Sequence, residues 1–186
     1  GGLETMVQPG DKVLLKPNLL FAKPGENAVT THPAMIESIA KLVIDCGAKA
    51  YLGDSPPLPS AHRVTKACGM ADVMQRMDIE LVEFKKPGTN MRKQPFYAKG
   101  IATPALESRL LEFDKVINIP KLKAHQQMVL TCGVKNLFGC VNGRTKAYWH
   151  FKLQSSRDAF ADMILAVYEK VAPELTIVDG IVSMEG

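Results

Sequence analysis

Residues 12–54, KVLLKPNLLFAKPGENAVTTHPAMIESIAKLVIDCGAKAYLGD, decide the fold. Lys12 to Lys16 is a short aliphatic run that stops at Pro17, whose ring removes a ladder donor, so it reads as a strand leading into a loop. The loop is long and polar and ends at Thr30-Thr31-His32-Pro33, where a hydroxyl just before a proline at the first helical position marks a helix start. Met35, Ile36, Ile39, Leu42, Val43 and Cys46 then recur at steps of three and four, a stripe that packs one helix face on a sheet. Gly47 is placed to cap the helix end in the left-handed region, and Ala48 to Leu52 is the next strand. Strand, helix and strand in this order require a crossover, which makes the two strands parallel.

The alternation continues outward. Gly53-Asp54-Ser55-Pro56-Pro57 breaks the second strand, and helical pieces follow at Ser60 to Cys68 and Ala71 to Met77. A third strand is expected at Ile79 to Phe84, and then an antiparallel excursion through Tyr97 and Ile101. Lys115 to Ile119 is a strand stopped by Pro120, Val129 to Val141 reads as a helix weakened by Gly133 and Gly139, and Asn142-Gly143 reads as a turn. Phe160, Met163, Ile164, Val167, Tyr168 and Val171 make the cleanest amphipathic stripe, with Ser155 and Ser156 as cap candidates and Pro173 at its end. Leu175 to Val178 is the last strand. The expectation is a single α/β domain over residues 1–186, with a mainly parallel sheet and helices on both faces in three layers. Stopping soon after a strand-like run, the sequence also reads as a fragment truncated at its C-terminal side.

Composition narrows the class. With 46% apolar and 23% charged residues the chain is ordinary globular protein, and 23 Lys and Arg against 19 Asp and Glu leave a formal +4, too mild a surplus to name a partner. Cys46, Cys68, Cys132 and Cys140 form no C-x-x-C pair, so neither a zinc knuckle nor a cluster-binding run is encoded, and scattered thiols point to a reducing cytosol. No apolar run approaches about 18 residues and no signal peptide opens the chain, so a cytoplasmic protein without a membrane partner is expected.

In open α/β sheets the loops leaving the carboxyl ends of the strands converge, and ligands bind there. That rule selects Lys16 and Asn18, Asp54 and Ser55, Lys121, Lys123 and His125, and Asp179 and Glu185. Any one of these residues is ordinary loop or cap material; their convergence is the signal. Pro120-Lys121-Leu122-Lys123-Ala124-His125 is the most pointed segment, because two ammonium groups and an imidazole can surround an anion and move a proton, and both Lys121 and His125 are expected in a surface cleft. Lys135 and Asn136 add a cation and an amide between glycines that permit close approach to a ligand, and His32 sits at a helix start that favours an anion. Asn142 to His150 joins cations to the lone Trp149 and reads as a mobile lid or an interaction loop. Asp54, Asp179 and Glu185 are weak metal candidates, because their spacing gives metal no specific support. Neither G-x-x-x-x-G-K-[ST] nor G-x-G-x-x-G occurs, and the aromatic fraction of 6% with no RNP-like strand argues against nucleic acid.

Taken in order, Lys16-Pro17-Asn18, Thr31-His32-Pro33, Gly53-Asp54-Ser55-Pro56, Pro120 to His125, Gly133-Val134-Lys135-Asn136-Leu137-Phe138-Gly139 and Asp179-Gly180 through Met184-Glu185-Gly186 resemble the domain-of-unknown-function family DUF362 over nearly the whole chain. Members are often described as iron-sulfur cluster-binding, because many join this domain to a ferredoxin-like module. The resemblance therefore implies a redox or anaerobic setting, with four-iron clusters in a region outside these residues, since this chain lacks the cysteines for them. Two functional expectations follow. In the first, an enzyme-like cleft binds a carboxylate- or phosphate-bearing small molecule: Lys121, Lys123 and Lys135 hold the anion, His125 transfers a proton, and Asn18 and Asp54 orient groups or a metal. In the second, a non-catalytic electron-transfer or docking domain uses the same basic edge to meet an acidic redox protein.

Overall fold

The computed structural model describes residues 2–58, 60–85, 87, 88, 104–125 and 129–184, with the backbone alone at 87, 88, 125, 129 and 144. β1 (Lys12–Pro17) alternates its side chains between two buried faces, as a strand covered on both sides must: Val13 and Leu15 enter one core, Leu14 the other. α1 (Pro33–Asp45) begins at His32, whose ring nitrogen Nδ1 accepts the Ala34 amide at 3.2 Å, and its chain leaves through Gly47 at a φ of 76°. β2 (Lys49–Asp54), α2 (Ala61–Ala67), α3 (Met70–Arg76) and β3 (Glu80–Glu83) follow the expected order. β4 (Pro87–Gly88) and β5 (Leu106–Glu107) form a two-stranded antiparallel ladder; the excursion through Tyr97 and Ile101 lies outside the described residues.

β6 (Lys115–Ile119) ends at Pro120, and two corrections come next. Lys121–His125 is a strand, β7, rather than a loop, and Val129 to Val141 is not one helix. Its first residues are β8 (Val129–Thr131), antiparallel to β7 with Lys123 opposite Thr131, and only Gly133–Asn136 forms the helical turn α4, tightening into a 3-10 turn over Leu137–Cys140. Helical spacing there was outweighed by glycines that lower helix propensity and by β7 offering a ladder. Asn142-Gly143 does not turn the chain back; it starts α5 (Gly143–Lys152), so the expected lid is a helix, with Trp149 buried at 9% exposure. α6 (Arg157–Val171) is capped by Ser156 Oγ accepting the Ala159 amide at 3.2 Å and buries Phe160, Met163, Ile164 and Val167. The last expected strand is two residues long, β9 (Leu175–Thr176), and β10 (Asp179–Met184) pairs parallel with β7.

The main sheet runs β3-β2-β1-β6-β9, all parallel. α1, α2 and α3 cover one face around Leu15, Ile36, Leu52 and Ile117, while α6 and the 3-10 turn cover the other around Leu14, Phe138 and Phe160. This is the expected three-layer α/β fold. Because the chain winds outward to β3 on one side of β1 and to β9 on the other, β1 and β6 flank the topological switch point, where carboxyl-end loops diverge and leave a crevice. The small sheet β10-β7-β8 rises from the β6 end and forms one wall of that crevice.

Candidate functional site

Lys16 Nζ, fully buried where β1 ends, lies 2.9 Å from Asp54 Oδ1 at the end of β2 and also donates to the Pro17 carbonyl at 2.6 Å. Asp54 is saturated: Oδ1 further accepts the Ser55 amide at 2.8 Å and Oδ2 the Leu19 amide at 2.7 Å. The pair fixes the loops after β1 and β2 relative to each other. Gly139 makes room for it, since a Cβ there would fall 2.5 Å from Lys16 Nζ and 2.8 Å from its Cε.

A line of amides runs from this floor to the wall. Asn136 Nδ2 donates to Asn118 Oδ1 at 2.9 Å and to the Lys16 carbonyl at 3.2 Å, while Asn136 Oδ1 accepts Asn18 Nδ2 at 3.0 Å. Asn18 Oδ1 in turn accepts Lys123 Nζ at 2.7 Å, and Asn118 Nδ2 donates to the Gly133 carbonyl at 2.8 Å. Each buried amide has its partners, which is what a rigid site floor requires.

Above the floor is a cavity of about 360 Å³ whose polar lining includes Asn18, Asp54, Lys123, Thr131, Lys135 and Lys146. The three ammonium groups come from β7, α4 and α5, and among the lining side chains that are described the only carboxylate is Asp54, already neutralised by Lys16. Desolvation above all brings Lys123, Lys135 and Lys146 each down to about 8, helped by repulsion from Lys121 at Lys123, from Lys146, Lys123 and Lys16 at Lys135, and from Lys16 at Lys146, with Asp54 opposing in each case. Lys123 also donates to the Val29 carbonyl at 2.7 Å, and Lys146 to the Ser55 carbonyl. Lys135 instead lies over Phe138 and Phe160, 5.1 and 6.0 Å from the ring centroids. His150 shares the cavity, packs on Phe160 at 4.8 Å, and is held below its ordinary pKa by burial and by Lys135 and Lys146.

Of the residues the sequence singles out, the structure brings Asn18, Asp54, Ser55, Lys123, Lys135 and Asn136 to this cavity, with Lys16 beneath it. Lys121 is elsewhere: it is not in a surface cleft but in an ion pair with Asp179 at 2.9 Å, both side chains at 0% exposure. Asp179 Oδ2 also accepts the His32 amide at 2.7 Å, so the anion expected at the start of α1 is the chain's own carboxylate, and His32 caps the helix. The side chain of His125 and the whole of Glu185 lie outside the described residues. Asp54 and Asp179 both spend their oxygens on a lysine and on amides, and no three potential metal ligands gather among the described residues. Cys46, Cys68, Cys132 and Cys140 are free thiols outside any group of three potential metal ligands among the described residues.

Thr131 and Asn118 are site residues that the sequence reading missed, and Lys146 and His150 entered it only as part of the lid segment Asn142 to His150, not as site residues. Asn118 had a signal, being a lone amide in the apolar strand KVINI, and Lys146 and His150 are four apart on one helix face, visible only once Asn142 to His150 is read as helix.

Comparison with known proteins gives the relationship without a reaction. A thylakoid-associated protein, sll1697, of Synechocystis sp. (strain ATCC 27184 / PCC 6803 / Kazusa) is 40% identical over 187 residues, covering all of this chain and 56% of that protein. The chain thus spans about half the length of the curated relative it matches. Among the described residues no helix is long and apolar enough to cross a membrane. The model of the family described as Domain of unknown function (DUF362) matches residues 13–186, and the chain belongs to that family.

Proposed function

We propose that the cavity at the switch point binds a small molecule carrying a carboxylate or phosphate, in an enzyme or ligand-binding domain. The observation that carries this reading is the meeting of Lys123, Lys135 and Lys146 from three separate elements at one cavity whose only described lining carboxylate is already paired. Uncompensated, partly desolvated cations cost stability, and an anion that bridges them removes the cost. Apolar walls from Leu19, Phe138 and Ala147 enclose the cations, which favours a small ligand over the flat polar surface used for protein docking. Lys121 moves from ligand holder to frame, Lys146 takes its place, and proton transfer by His125 stays in the proposal with His150 as a second carrier.

The setting belongs to the proposal as well. A redox or anaerobic context with a ferredoxin-like module outside these residues, which the family resemblance implies, is part of the reading, and the unpaired thiols fit a reducing compartment such as the cytoplasm. Thermal melts with oxalate and with inorganic pyrophosphate test the anion site. A ligand at about 100 times its Kd adds about 2.7 kcal/mol, a rise of roughly 5–10 °C at this size, and Lys123→Met with Lys146→Met removes the rise. Equal melts with and without both anions overturn the reading.

A further inference from the structure

Lys123 and Lys146 are tied to oxygen acceptors, whereas Lys135 has no ion-pair or hydrogen-bond partner among the described residues. Two other groups at the same cavity have no task in simple anion binding. Thr131 Oγ1 is buried, its residue at 3% exposure, and has no partner at all among the described residues, although a buried hydroxyl ordinarily has one. The His150 ring, beside the same aromatic pair as Lys135, is neutral at pH 7 because burial and the neighbouring cations disfavour its charged form.

A free amine, an unpaired hydroxyl and a neutral imidazole around one cavity are the parts that imine formation needs. We propose that Lys135 is a nucleophile that condenses with the carbonyl carbon of a small anionic aldehyde or keto acid, whose carboxylate or phosphate is held by Lys123 and Lys146. This rests on the anion reading above and narrows its substrate class. The lone pair of the neutral amine forms the C–N bond as the carbonyl π bond breaks onto oxygen. Thr131 Oγ donates a hydrogen bond to that oxygen, and His150 carries a proton from nitrogen to it. Loss of that oxygen as water takes a second proton, the one Lys135 gives up in passing from ammonium to neutral amine, returned to the hydroxyl through His150, and leaves a protonated imine; overall the ammonium and the carbonyl compound become iminium and water with no oxidant or reductant. Bringing the amine from its ordinary 10.5 down to about 8 raises its neutral fraction at pH 7 roughly 300-fold, the activation that buried nucleophilic lysines use. Lys123 and Lys146 are lowered alike, but their nitrogens are engaged as donors to carbonyl and amide oxygens, which leaves Lys135 as the one of the three with no hydrogen-bond acceptor among the described residues.

The test treats the intact chain with one equivalent of pyridoxal 5′-phosphate, and separately with glyoxylate, each under sodium cyanoborohydride, and maps the adducts by peptide mass spectrometry. Labelling at Lys135 is expected to exceed that of an average exposed lysine by at least about tenfold, to be slowed by excess oxalate, and to fall in Thr131→Val. In Lys135→Gln the initial rate of total incorporation falls by at least about a third, the share that one tenfold-favoured site holds among 17 lysines. Even labelling across the lysines, with the oxalate shift intact, overturns the imine proposal and leaves the anion site standing. Even labelling with no oxalate shift overturns both.

Discussion

At the scale of the residue, the same amino-acid type does three different jobs in and around one crevice. Lys16 and Lys121 are buried and paired, Lys123 (buried) and Lys146 (half-buried) are hydrogen-bonded to neutral oxygens, and Lys135 rests on aromatic rings. Their responses to substitution differ accordingly. Removing one partner of a fully buried pair strands the other charge, so Lys121→Ala is expected to cost about 3–5 kcal/mol, seen as a fall in the denaturation midpoint with an unchanged m-value. Lys135→Met is expected to do the reverse. It exchanges an unpaired, desolvated cation for an apolar side chain of similar length, raising the Tm by a few degrees, about 1 kcal/mol, while abolishing the stabilisation by oxalate. A Tm that drops for Lys135→Met makes the lysine part of the frame rather than of the ligand site.

At the scale of the element, what was legible was what repeats. α1 and α6 announced themselves because four or five apolar side chains recur on one face and a cap stands at each end, and the parallel sheet followed from their crossovers. The rim of the crevice was not legible, because β7, β8, α4 and α5 are short, and short elements take their form from tertiary partners rather than from periodicity. Lys123, Lys135 and Asn136 were found by their chemistry even so, while Lys121 was misplaced because strand alternation sends it and Lys123 to the same side of β7 but only the latter reaches the cavity. The 3-10 turn at Leu137–Cys140 explains one motif glycine. Gly139 passes so close to the Lys16–Asp54 pair that a methyl group must displace two buried, bonded side chains. Gly139→Ala is therefore expected to lower the Tm by roughly 4–8 °C, about 2 kcal/mol, and to weaken anion binding by shifting Asp54, measured by melting with and without pyrophosphate.

At the scale of the whole molecule, a net charge of +4 conceals a concentration of positive charge at the switch point, and pH exposes it. Lys123, Lys135 and Lys146 titrate at about 8 in the fold because burial disfavours their charge, with neighbouring lysines (Lys121 at Lys123, Lys16 at the other two) opposing protonation and Asp54 favouring it. In the unfolded chain each keeps its proton to about 10.4. Below pH 8 both states are protonated and the full cost of the crowded cations is present; from pH 8 upward the unfolded chain binds more protons than the native one, so stability rises. The buried thiols work the other way. Desolvation pushes Cys140 up to about 12 and raises Cys68, so above pH 9 the unfolded chain loses protons that the native chain keeps, and the rise flattens. The Tm is thus expected to climb between pH 7.5 and 9 and then level, a profile taken by calorimetry in matched ionic strength. Saturating pyrophosphate changes the slope, because an anion among the lysines returns their protons to the native state and transfers the greatest gain to the lower end of the window. A Tm that falls through pH 7.5–9 without ligand means that these lysines keep their ordinary affinity for protons, and that the crevice is open to water rather than built around a missing anion.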